Sequence, residues 1–270
     1  MTPTNVDKHI DQTYFYLRIG LALLALFFPF VLLLVGWYLF DIPFQAKLSA
    51  YYFAFAPPDS QLRVFPMRDW LVGILWAIGC FLILYRGFSR AENWTLNLAG
   101  LSALGIAMFP TSPPDYCTHC GDGWPITHQV LSVALFVCIA FVAWALRWQT
   151  LPLLSDVRLR MRFHAVYRAV AIAMVLAPLV AVWLSVAGVG APQKAAALPG
   201  DIFASATLLT EIFAICIFAV FWLIKTYELH IIEARPAARH ADFESAAGAL
   251  TDGERNSVSM RLNKLLVRRQ

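Results

Sequence analysis

Charge is what this chain has least of. Only 14% of its 270 residues are Asp, Glu, Lys or Arg, whereas a soluble domain carries about a quarter. With 60% hydrophobic residues and a mean hydropathy of +0.64, an ordinary water-soluble globule is excluded. No tandem repeat and no low-complexity run stands out. The first apolar run lacks a small-residue cleavage pattern after it, exceeds a signal-peptide core, and follows a polar segment of about 18 residues. It therefore reads as a span and not as a cleaved leader. What the chain has in quantity is aromatic weight, with nine Trp, nine Tyr and twenty Phe, which suits a membrane interface. This is the composition of a polytopic membrane protein.

A hydrocarbon core about 30 Å thick takes roughly 20 apolar residues as a helix. Six runs meet or approach that length, at 19–40, 70–85, 94–109, 126–146, 169–189 and 202–224. Their continuity points to helices, because barrel strands alternate over about ten residues. Pro29 lies inside the first run and removes a backbone hydrogen bond, which predicts a kink. The fold expected is an all-α integral membrane bundle of six transmembrane helices over residues 1–225, with a basic tail over 226–270. Placing both termini in the cytoplasm leaves only Lys47, Arg63, Arg68 and Lys194 of the 21 basic residues outside. That asymmetry is what the positive-inside rule asks for.

The third-to-fourth connection, "FPTSPPDYCTHCGDGWPITHQ", then faces outward. Cys117 and Cys120 can close a disulfide, act as a redox couple, or give two thiolates to zinc with His119 and His128. Outside the cytosol no reductant keeps thiols apart, so a Cys117–Cys120 disulfide is expected and no metal. Pro113, Pro114, Gly121, Gly123 and Pro125 make the loop a series of turns. No βαβ context supports a thioredoxin-like role, and no cofactor is expected.

Glu211 lies inside the sixth run, nine residues from its outer end. A carboxylate near the midplane is costly, so it should face the bundle, as a proton carrier, as a headgroup ligand, or hydrogen-bonded to Thr207 for packing. Asp69 and Asp201 open the second and sixth runs, where the helix dipole favours an acid. His128 opens the fourth and lacks that explanation. If the first outer loop folds over the bundle mouth, Ser49, Asp69 and His128 could meet as nucleophile, acid and base. Against a lipid hydrolase, the sequence has no His-x-x-x-His pair. Against a proton-coupled transporter, it has no inverted repeat and only one deep acid. Gly100, Ser102, Ala103, Gly105 and Ala107 make the third run a helix packed at the centre.

The inner surface is basic. Arg158, Arg160 and Arg162 alternate before the fifth run, and the tail could form a short helix with Val258, Leu262, Leu265 and Leu266 on one face. Such segments suit anionic lipid headgroups, although topology alone already requires positive charge there.

"KLSAYYFAFAPPDSQLRVF", "RDWLVGILWAIGCFLILYRG" and "NLAGLSALGIAMFPTS" form an ordered set. They resemble bacterial six-span membrane proteins of unknown function and, more distantly, the DRAM/Sfk/FRAG group. Ser49 and Pro57-Pro58-Asp59-Ser60 match that group's first outer loop. The resemblance covers roughly residues 15–225 and implies six spans, cytoplasmic ends and a role in lipid organisation or trafficking. It also suits a bacterial plasma (inner) membrane. The function expected is non-enzymatic binding of a lipid or a protein partner, including a second copy, at the outer mouth. Asp69, His128 and Glu211 would line it, with Trp70, Trp124, Tyr51 and Tyr52 as interfacial anchors. No nucleic acid is implied.

Overall fold

Pro29 removes its own N–H from the helical ladder and crowds the carbonyl four residues back. In the computed structural model the backbone answers with a change of helix type. Helix α1 (Asn5–Phe30) passes into a π-turn (Val31–Val35) and then into α2 (Gly36–Phe40). The π-turn follows Pro29 directly, and the rod continues through both. The rod stops at Asp41, whose φ of 50° is left-handed, a conformation Asp tolerates better than most residues.

The structure describes residues 5–54, 65–113, 120–154, 156–187 and 205–233. After a 3₁₀ turn (Leu48–Phe53) come α3 (Pro66–Leu84), α4 (Arg90–Met108), α5 (Pro125–Ala145), α6 (Val157–Ala187) and α7 (Ala206–Glu233). The chain divides into two units, Met1–Tyr227 and Glu228–Gln270. Asp201, Pro57-Pro58-Asp59-Ser60 and the tail from 234 onward lie outside the described residues.

Local signals set the helix starts. Pro66 and Pro125 stand first in α3 and α5, where a missing N–H costs nothing. Ser89 caps α4: its hydroxyl accepts from the Glu92 N–H at 3.1 Å, and the Glu92 carboxylate accepts from the Phe88 N–H at 2.9 Å. This is a variant of the capping box. Asp156 caps α6 through the N–H groups of Arg158 and Leu159. The helices overrun several expected spans, because polar residues beside an apolar run continue its ladder. The fifth run was expected at 169–189, yet α6 starts at Val157, so Arg158, Arg160 and Arg162 are helical. At 100° per residue Arg158 and Arg162, four apart, share one face and Arg160 points away from them, so the three form no single stripe.

Consecutive helices pack as neighbours, α3 on α4, α4 on α5 and α5 on α6, with α1 against α3. The small-residue face of α4 does lie inside, with Gly100, Ser102, Ala103 and Ala107 buried. Its contact with α3 is backbone-close: a Cβ on Gly100 would sit 2.7 Å from the Gly79 carbonyl oxygen and 2.6 Å from Ile83 Cγ1. Helix α7 is held by rings. Trp222 meets Tyr85 edge-to-face at 5.1 Å, and Phe221 meets Tyr167 at 6.2 Å.

The outside is apolar. Leu23, Phe27, Phe30, Leu34 and Trp37 form an exposed stripe on the first rod, and Trp94, Leu98, Leu101 and Met108 form one on α4. In water such faces would be covered. Among the described residues five helices are long and apolar enough to cross a membrane, α4 not being one of them. Its Glu92, Asn93, Asn97 and Ser102 dilute it. The protein is a polytopic helical protein of membrane type.

The two glycines Gly100 and Gly73 predict opposite responses. Gly100→Ala should destabilise the bundle by about 1–3 kcal/mol through overpacking. A Cβ at Gly73 meets nothing within 4 Å, so Gly73→Ala should be neutral or stabilising by up to about 1 kcal/mol. Thermal unfolding in detergent reads both; equal midpoints would contradict the close crossing.

Candidate functional site: a capped cavity at one end of the bundle

The segment after Asp41 turns inward. Ile42, Phe44, Leu48, Ala50, Tyr51 and Phe53 are buried, Tyr51 completely. Tyr51, expected as an interfacial anchor, is therefore core, while Trp70 and Trp124 are exposed. Tyr52 is partly covered by Arg68, whose guanidinium carbon lies 4.6 Å from its ring and whose Nε donates to its carbonyl at 3.1 Å.

A short 3₁₀ turn leaves its first N–H groups without internal partners, as any helix start does. Here the acceptor comes from α7. The Leu48 N–H donates to Glu211 Oε2 at 2.6 Å, the Ser49 N–H addresses the same carboxylate, and the charge of Lys47 acts on it. A second tie lies beside it, where Ser205 Oγ donates to the Ala46 carbonyl at 2.5 Å and accepts from the Leu208 N–H at 3.2 Å. Glu211 is thus a remote cap. The described α7 begins at Ala206, so Glu211 sits about 8 Å into it at 1.5 Å per residue, nearer the end than the midplane position expected. Thr207, the partner considered from the sequence, is buried and its Oγ1 makes no hydrogen bond.

Under this cap lies a cavity of about 150 Å³. Its walls are mainly aliphatic and aromatic, among them Phe28, Leu75, Ile106, Leu135, Phe136 and Phe218. The polar groups come from the cap and the helix starts: Lys47, Ser49, Thr111, His128, Gln129, Ser132 and Glu211.

His128 has a structural task after all. Its Nδ1 lies 2.8 Å from the Phe109 carbonyl oxygen. A carbonyl can only accept, so Nδ1 carries the proton, which fixes the tautomer of the neutral ring. The start of α5 thereby satisfies the end of α4. The same junction is pinched by backbone: the Trp124 N–H donates to the Pro110 carbonyl at 2.8 Å, and a Cβ on Gly123 would fall 2.0 Å from the Thr111 oxygen.

The structure therefore brings Ser49, His128 and Glu211 to one cavity and leaves Asp69 out. Asp69 is exposed in the first turn of α3, against a separate shallow depression with Leu24, Trp70 and Gly73. Ser49 and His128 share no hydrogen bond, so a Ser–His–Asp relay is not assembled; the helix dipole accounts for the acid at Asp69. Cys120 is disulfide-bonded and Cys80, Cys138 and Cys216 are free thiols. Cys117 and His119 lie outside the described residues. Among the described residues no cluster of His, Cys, Asp and Glu could hold a metal ion. Sequence reasoning missed Lys47, Gln129 and Ser205, which carry no motif and act only through the folded cap.

Comparison with known proteins yields no relative: no protein-family model matches the chain, and neither a curated protein nor a solved structure matches it significantly.

Removing the remote cap has a measurable cost. Glu211→Ala leaves the Leu48 and Ser49 N–H groups unsatisfied, about 1–3 kcal/mol each, at roughly 2–4 °C per kcal/mol in the unfolding midpoint. Glu211→Gln keeps one acceptor oxygen and should lose less. Limited proteolysis should open the 41–54 segment in the alanine variant first. A wild-type midpoint for Glu211→Ala would refute the capping role.

Proposed function

We propose that the protein is a non-enzymatic, six-span protein of a bacterial plasma membrane, with both termini cytoplasmic and the capped cavity facing outward. The cavity takes up one end of a lipid. What supports this is the cavity itself, about 150 Å³ of mostly apolar wall with a handful of polar groups from the cap and from the starts of α5 and α7. Ligand sites have this make-up. An apolar space of this size accepts a benzene-sized guest, so it holds part of an acyl chain, with the polar end meeting Lys47 and His128.

Six crossings are supported by α4 itself. It packs between α3 and α5 and turns an apolar stripe outward, and its 19 residues reach about 28 Å. The outward orientation of the cavity rests on charge: the other end carries Arg86, Arg90, Arg147, Arg158, Arg160, Arg162 and Arg168. The DRAM/Sfk/FRAG resemblance points toward lipid handling as well. Transport driven by protons finds less support, since among the described residues Glu211 is the sole carboxylate on the cavity wall and it is engaged with the Leu48 and Ser49 amides.

Photocrosslinking tests the reading. A fatty acid with a diazirine near its chain end should label cavity-lining peptides of α5 and α7 in the purified full chain. Ser132→Phe, which fills the cavity, should cut labelling about tenfold, equivalent to about 1.4 kcal/mol, at an unchanged melting midpoint. Undiminished labelling would sink the proposal.

A further inference from the structure

A second cluster lies at the far end of the bundle. Helix α5 connects to α6 through two 3₁₀ turns, Leu146–Gln149 and Leu151–Leu153. Arg147 stands in the first, about 28 Å beyond His128 along the chain's helical rise. Its side chain is only 6% exposed. It lies between Trp144 and Trp148, the guanidinium carbon 5.2 Å from each ring centroid. Nε donates to His164 Nδ1 at 3.1 Å, so that nitrogen is the unprotonated one. Nη1 is buried and has no hydrogen-bond partner. Arginine does not deprotonate in proteins, and a buried charge left with an unused donor is expensive unless something answers it.

The surroundings add more positive charge. Arg160, His164 and Arg168 recur every fourth residue along α6 and so share one face. Arg168 also reaches the Trp144 ring, at 5.7 Å. The charges that act on His164 are Arg147, Arg160 and Arg168, and the one acting on Arg147 is Arg168. None of them is a carboxylate. Asp156, the acid at the start of this helix, is engaged with the N–H groups of Arg158 and Leu159. Three guanidinium groups and an imidazole thus converge beside a donor that nothing in the described protein uses.

We infer that this cluster binds a phosphate group, through the planar donor forks of Arg147, Arg160 and Arg168, beside the Trp144 and Trp148 rings. Arginine matches phosphate oxygens with paired, charge-assisted hydrogen bonds. Both tryptophans are exposed, Trp144 by about half, at the end of an apolar helix, where indole rings mark headgroup depth. The phosphate belongs either to an anionic phospholipid or to a soluble phosphate ester, and the same oxyanion chemistry serves both. The site is independent of the cavity at the other end.

Native mass spectrometry of the delipidated full chain tests it, titrated in turn with phosphatidylglycerol, phosphatidylcholine and inorganic phosphate. The wild type should bind phosphatidylglycerol about tenfold more tightly than phosphatidylcholine. Arg168→Gln should abolish that preference, as should Arg147→Gln. Arg162→Gln, which removes the same charge from another face of α6, should leave it intact. Arg168 is exposed, so its variant decides the matter even if Arg147→Gln fails to fold. Inorganic phosphate that binds the wild type, displaces the lipid and is lost in Arg168→Gln would support the site with a soluble ester as its ligand. An equal loss in Arg162→Gln and Arg168→Gln would show diffuse charge only and overturn the proposal, as would a wild type that neither prefers phosphatidylglycerol nor binds inorganic phosphate.

Discussion

A backbone N–H inside an apolar medium must find an acceptor, and the cavity end of this protein depends on where the Leu48 and Ser49 N–H groups find theirs. Non-helical backbone is tolerated at membrane depth only when protein satisfies it. The Glu211 carboxylate does so from another helix, and Ser205 adds a second tie to Ala46. With the segment pinned in this way, Tyr51 can be fully buried and the cavity acquires its roof. The same bond explains why a carboxylate is retained among apolar neighbours. It accepts from two amides, with Lys47 nearby, so it carries a structural duty before any functional one.

The rest of the bundle obeys a different economy. Between helices surrounded by lipid there is no hydrophobic driving force, because the tails are as apolar as the side chains. Close approach has to supply the attraction, which is why Gly79 and Gly100 face each other across α3 and α4. The exposed apolar stripe on α1 follows from the same solvent. Where the helices separate, rings bridge the gap, as Tyr85 and Trp222 do.

The two ends differ in how charge is answered. At the cavity end a single carboxylate meets backbone donors within the protein. At the other end Arg147, Arg160 and Arg168 gather round His164 with no acid among the charges that act on it. Among the described residues, the carboxylate at one end is answered by the protein's own donors, whereas the charges acting on His164 at the other are all of one sign.

Much of this was legible along the chain. Apolar runs located the helices, Pro29 announced an irregularity in the first, and the small residues of α4 announced a central helix, since each signal acts within a turn or two. Helix ends were less legible, because polar residues such as Arg158 continue a ladder that hydropathy alone would stop. Glu211 and Ser49 drew attention by their chemistry, yet Leu48 and Glu211 are 163 residues apart, and nothing local links them. Asp69 looked like their companion and is not, because α3 turns it to the surface. The arginines that open α6 alternate in sequence, and only the helical period groups Arg160 and Arg168 with His164. The sequence by itself determined the solvent and the helices, both encoded by short-range pattern. Which polar groups meet was decided only by tertiary packing, because a buried donor takes whichever acceptor the fold brings within reach.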